Sequence, residues 1–139
     1  MPEAVTIRSI RALKDIGIFG DFTPSADLPP FRKANLIYGF NGTGKTTLSR
    51  IFSSLETGIL HEELDPTASF QIELTDGSVI KSGDGFDQLK GRLLVLNVDF
   101  VKRTLRWDEA AADPIYYIGT EQVSDISSRI FGIIFKIMA

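Results

Sequence analysis

The run Gly39-Phe40-Asn41-Gly42-Thr43-Gly44-Lys45-Thr46 satisfies the pattern GxxxxGK[ST] at every fixed position. Those residue types at that spacing suit one chemistry, the cradling of a nucleoside triphosphate. Backbone N–H groups must wrap the phosphates closely, and Gly42 and Gly44 allow positive φ with no Cβ in the way. Lys45 is placed to reach the β and γ phosphates, and the Thr46 hydroxyl to complete the coordination of a Mg ion that bridges them. Thr47 falls in the first turn of the helix that should follow, whose N-terminal dipole favours the same anion. The expected binding residues are therefore Gly39, Phe40, Asn41, Gly42, Thr43, Gly44, Lys45, Thr46 and Thr47, with Thr46 also on the metal. No residue stands out as a catalytic base.

A glycine turn that merely joins a strand to a helix is the competing explanation. At ordinary residue frequencies the four fixed positions coincide in roughly one chain in a few hundred of this length. The surroundings argue further against chance. From Thr46 onward, Leu48, Ile51, Phe52 and Leu55 repeat at i, i+3, i+4 and i+7, one apolar face of a helix of about three turns. Upstream, Leu36, Ile37 and Tyr38 suit a buried parallel strand over residues 35–38 that feeds the loop.

The elements around this unit are largely β. Residues 5–10 alternate apolar and polar as a half-buried strand should, and residues 16–22 offer a second. Pro24, Pro29 and Pro30 mark an irregular connection, because their missing amide protons break any ladder. Residues 69–74 and 78–81 flank Asp76-Gly77, the strongest hairpin signal in the chain. Leu93, Leu94, Val95 and Leu96 suit a central buried strand, and a helix is expected over residues 99–105. Residues 115–118 suit a short strand. Residues 124–138 suit a helix with Ile126, Ile130, Ile133, Ile134 and Ile137 on one face, an apolar stripe that would promote self-association if uncovered.

Composition bounds the function classes. At 139 residues the chain is one domain by length, short for a nucleotidase with accessory parts, and 43% hydrophobic with 24% charged content is that of a folding sequence. A formal net charge of −3 gives no overall footprint for nucleic acid. The basic residues Lys90, Arg92, Lys102, Arg103 and Arg106 are expected to form a solvated face balanced by Asp99, Asp108 and Glu109. The absence of cysteine excludes disulfides and cysteine-built zinc sites. His61, the only histidine, sits beside Glu62 and Glu63 and is expected as a solvated surface residue. Trp107, Tyr116 and Tyr117 are expected to pack rather than to stack on bases. The first residues show no secretory signal, and the apolar tail is far below the roughly 18 residues of a membrane span. A cytoplasmic protein with no membrane partner is expected.

Residues 35–50 resemble the phosphate-binding region of ABC-type ATPases of the SMC and RecF kind, in which Asn41-Gly42 within the loop is typical. More closely, the layout resembles the AAA-type ATPase domain of the bacterial anticodon-nuclease (PrrC/RloC-like) proteins. There a β-rich N-terminus precedes the loop, and a segment similar to Leu96-Asn97-Val98-Asp99-Phe100-Val101 comes later. The resemblance spans roughly residues 6–120. It implies an α/β P-loop NTPase of ABC type, a mixed sheet with an antiparallel β portion, ATP and Mg as ligands, and a task linked to nucleic acid in the full-length protein. In the SMC-like families an LSGGQ signature, a Walker B stretch ending in Asp-Glu and a switch histidine follow a long insertion, and none occurs here. The chain is then expected to be an incomplete, N-terminal lobe whose site is finished by a second ATPase lobe or a homodimer partner. In this resemblance residues 96–101 correspond to the segment carrying the Q-loop, so Asn97 or Asp99 has either a direct nucleotide role or, at Asp99, that of a helix cap.

Three rival functions are weighed on sequence grounds. A small-molecule kinase usually begins with the phosphate-binding strand, whereas two candidate strands precede the loop here and a hairpin follows. A GTPase would need a guanine-reading NKxD segment, which is absent. The non-enzyme alternative is a nucleotide-binding or assembly module that works through a partner lobe, since catalytic electrostatics in composite sites come from a second chain.

Overall fold

The computed structural model describes residues 5–32, 34–106, 111–112 and 131–133. Strands β1 (Ile7–Ile16) and β2 (Phe19–Phe22) form a hairpin in which Ile16 faces Phe19. That register leaves Gly17 and Ile18 as a two-residue reversal, with Gly17 at a φ of 56°, a hand of turn that suits the twist of the flanking strands. The first strand thus runs well past its expected end at residue 10, and the second begins only at Phe19. The cause is visible in the pairing with β3, whose register shifts between Ile7 and Ser9 and again between Ile10 and Ala12. Each shift breaks the period-2 alternation on which the shorter boundary rested, and Leu13 and Ile16 are still brought into the core.

Strands β3 (Ser69–Leu74) and β4 (Val79–Lys81) form the expected hairpin about Asp76-Gly77. Gly77 takes a φ of 85°, and Asp76 Oδ1 accepts hydrogen bonds from the Ser78 amide at 2.9 Å and its hydroxyl at 2.6 Å. The four strands make one antiparallel sheet in the order β2-β1-β3-β4. Alternation along β3 puts Phe70, Ile72 and Leu74 on its buried side.

Helix α1 (Lys45–Thr57) buries Leu48, Ile51, Phe52 and Leu55, the face the spacing predicts, in one cluster with Ile7, Leu13, Phe70 and Ile72. It stops at Gly58, whose φ of 73° places it in the left-handed region and whose amide donates to the Ser54 carbonyl at 2.8 Å, an ending that glycine favours. Strand β5 (Leu93–Val95) lies against α1 with Leu93 and Val95 buried. Helix α2 (Val98–Thr104) follows within a residue of its expected bounds, and β6 (Leu105–Arg106) pairs antiparallel with β7 (Ala111–Ala112).

Two expectations are overturned. Within the helix expected over residues 124–138, the described residues form a strand, β8 (Phe131–Ile133), parallel to β5. A short, continuously apolar run fits a buried parallel strand as well as a buried helix, and β-branched isoleucine favours the strand. Residues 35–38 form no strand: Leu36 is 94% exposed and Tyr38 81%. A strand exists only where a neighbour completes its ladder, and no described strand pairs with this segment. The expected strand over residues 115–118, the aromatic residues Trp107, Tyr116 and Tyr117, and the acidic residues Asp108 and Glu109 lie outside the described residues. The described architecture is α/β with a clear antiparallel portion and the parallel pair β5–β8.

Candidate functional site

The phosphate-binding pattern folds into a turn that opens directly into α1. Gly42 and Gly44 take φ values of 82° and 85°, and Gly44 is the N-cap of the helix. Gly44 is required twice over. Its backbone is left-handed, and a Cβ there would lie 2.7 Å from the ring of Phe19. At the hairpin reversal, a Cβ on Gly17 would lie 2.8 Å from the Thr47 hydroxyl. The β1–β2 hairpin therefore braces both the end of the loop and the first turn of α1, a contact between distant residues that local patterns do not carry.

Inside the loop the Thr43 hydroxyl donates to the Phe40 carbonyl at 2.7 Å, and Lys45 Nζ donates to the carbonyls of Gly39 and Phe40, each at 2.7 Å. The ammonium is thus held over the loop by two backbone acceptors. The first amides of α1, from Lys45, Thr46 and Thr47, have no acceptor within the helix, and the helix dipole adds positive potential at the same end. Phe40, Asn41, Gly42 and Thr43 are exposed, and Gly39, Gly44, Lys45, Thr46 and Thr47 are half-buried, so an anion can approach the loop from solvent.

A cavity of about 350 Å³ adjoins the loop. Its walls are mostly apolar, from Ile10, Leu13, Phe19, Phe22 and Ile37, while Thr43, Gly44 and Lys45 line its phosphate-loop side. Such a space accepts a flat, largely apolar body next to an anion. No group of three or more His, Cys, Asp or Glu that could hold a metal exists among the described residues. The half-buried Thr46 hydroxyl in the first turn of α1 is a hard oxygen donor of the kind that suits Mg.

A second polar cluster, which the sequence did not reveal, joins α1 to α2. Arg50 donates to both carboxylate oxygens of Asp99, from Nε at 2.8 Å and from Nη2 at 3.2 Å. His61 is not a solvated surface residue: its side chain is only 12% exposed, with Nε2 3.7 Å from Asp99 Oδ2 and Nδ1 accepting from the Glu63 amide at 3.2 Å. The cap of α2 is Asn97 rather than Asp99, since Asn97 Oδ1 accepts from the Phe100 amide at 2.8 Å. Asp99 pairs with Arg50 of α1 instead of balancing the expected basic face, although Lys102 adds a weaker favourable charge.

Hydrogen bonds from Arg50 hold the Asp99 carboxyl below its usual range, and burial opposes them only in part. Arg11 and then Ser9 act likewise on Glu73. A carboxyl whose folded-state pKa is depressed contributes stability that is fully present above its unfolded value, 3.8 for Asp99, and is lost as pH falls through the folded value. Stability should accordingly fall as pH drops below the ordinary carboxylate range, and Asp99→Asn should remove the part of that fall that the Arg50–Asp99 pair contributes. Chemical denaturation across the range checks it, and a parent and variant with parallel pH profiles would show that the Arg50–Asp99 pair does not contribute.

A protein-family model described as an AAA domain matches residues 15–130, a stretch that takes in the β1–β2 reversal, the phosphate loop, α1, β3 to β5 and α2. No curated protein and no solved structure matches the chain.

Proposed function

The chain belongs to this AAA domain family, a family of P-loop, nucleotide-binding ATPase-like domains, and from that premise we propose that it binds ATP with Mg through residues 39–47. The observation that carries the reading is the loop itself: two glycines at positive φ lead into the N-terminus of α1, with Lys45 beside an apolar cavity. The loop amides and Lys45 would hold the β and γ phosphates, the Thr46 hydroxyl would bind the Mg, and the cavity that Phe19 and Phe22 help to line would take the base. Mg supplies charge neutralisation of the phosphate oxygens when bound.

The domain acts as one lobe of an ABC-type ATPase in the cytoplasm, resembling the anticodon-nuclease type, and a second lobe or a homodimer partner completes its catalytic site. Asp99 supports that division of labour. Its carboxylate is paired with Arg50 through both oxygens and is not free to orient an attacking water. Phosphoryl transfer also needs an oriented water and a completed charge environment. The purified chain should bind Mg·ATP in calorimetry and release phosphate no faster than its Lys45→Ala variant. Robust turnover that depends on Lys45 would overturn the shared-site reading, and the absence of any ATP binding would overturn the site.

A further inference from the structure

We infer that Asn97 and Ser49 are positioning residues for Thr46, so that the first turn of α2 sets the geometry of the metal-binding hydroxyl without touching nucleotide or metal. The inference rests on the proposed Mg·ATP site. Its starting point is a residue whose chemistry exceeds its obvious task. A helix start needs only an acceptor, which serine, threonine or aspartate supplies equally well. Asn97 is an amide, carries a donor that those caps lack in this geometry, and is 4% exposed, where an unsatisfied amide would be costly.

Both ends of that amide are used. Oδ1 accepts from the Phe100 amide at 2.8 Å and so starts α2. Nδ2 donates to the hydroxyl of Ser49, which is fully buried, at 3.3 Å. The Ser49 hydroxyl in turn donates to the carbonyl oxygen of Thr46 at 2.8 Å. A three-member relay thus runs from the cap of α2 to the peptide of the residue proposed to hold the metal. One residue beyond Ser49 and two beyond Asn97, Arg50 and Asp99 join the same two segments through their paired hydrogen bonds. The start of α2 is therefore fixed to α1 at two neighbouring positions. The Ser49 bond reaches the Thr46 carbonyl from the side chain, beside the backbone ladder, and so constrains the tilt of that peptide. The direction of the Thr46 hydroxyl follows from the backbone that carries it.

The test compares ATP affinity with Mg and with a chelator, by calorimetry on the whole chain. Thr46→Ala should abolish the advantage that Mg gives. Ser49→Ala and Asn97→Ser, which keeps a cap but not the reach to Ser49, should each cut that advantage about three- to tenfold while Mg-free affinity changes less than about twofold. Ser49→Thr, which keeps the hydroxyl, should restore the parent value. In the Thr46→Ala background, Ser49→Ala should have no further effect on the Mg dependence. Equal losses with and without Mg would make the relay a structural clamp only and overturn the inference. Should Ser49→Ala not fold, Ser49→Cys keeps the volume with a weaker donor and gives the same comparison. Lys45→Ala separates the two readings: if it leaves affinity unchanged the nucleotide site itself is wrong, whereas if it weakens binding and the relay variants leave the Mg dependence intact, only the relay is wrong.

Discussion

Replacing Lys45 by alanine should weaken ATP binding about 100-fold while leaving the protein folded. A hydrogen bond to a charged group contributes up to about 3 kcal/mol, and each ~1.4 kcal/mol is a factor of ten in affinity. The parent does not gain the whole of the phosphate contact, because the ammonium must first leave the Gly39 and Phe40 carbonyls that it holds at 2.7 Å. That exchange explains why the expected loss is two orders of magnitude and not more. The fold should survive, since Lys45 lies outside the buried cluster and water can replace its ammonium at a loop open to solvent. Calorimetry with ATP and circular dichroism on both proteins check the two halves of the statement. Equal affinity for two folded proteins would remove Lys45 from the site.

What was legible in the sequence was local. Gly42 and Gly44 announce a tight backbone through the lack of a side chain, and Leu48, Ile51, Phe52 and Leu55 announce a helix face through spacing alone. Asp76-Gly77 announces a reversal for the same kind of reason, and each depends on residues within one or two turns. The misreadings all depend on distant partners. Leu36, Ile37 and Tyr38 have the composition of a buried strand, but a ladder needs a neighbour that no local pattern specifies. Phe131 to Ile133 pair with β5 across more than thirty residues of intervening chain, and periodicity cannot separate such a strand from a buried helix. His61 has acidic neighbours in sequence and so resembles a surface residue, yet the chain brings it to Asp99. Asn97 took the capping task expected of Asp99 for the same reason. Either side chain can cap α2, and the choice was made by Ser49 and Arg50 on α1, whose proximity is a property of the fold.

Phe52→Ala should be the most destabilising single change, and ATP should offset it through the site at the other end of the same helix. Phe52 is fully buried on α1 and meets the ring of Phe31 edge to face, with centroids 6.4 Å apart and planes at 67°. Truncating a buried phenylalanine costs about 3–5 kcal/mol from lost transfer and the cavity left behind, against a total of roughly 5–15 kcal/mol for a domain. A fall in Tm of about 10–20 °C is expected. A ligand that binds only the folded state stabilises it by about 2.7 kcal/mol at a hundred times its Kd, so Mg·ATP at that excess should recover half or more of the loss. Adding Lys45→Ala to Phe52→Ala should abolish the recovery at the same ATP concentration, because a roughly 100-fold weaker Kd leaves under 1 kcal/mol of linkage. Thermal denaturation of the single and double variants, with and without Mg·ATP, measures both effects together. A loss below about 1 kcal/mol would place Phe52 outside the core, since fully buried aromatic residues do not give values that small. A recovery that persists without Lys45 would mean that ATP stabilises the fold from somewhere other than the loop that opens α1.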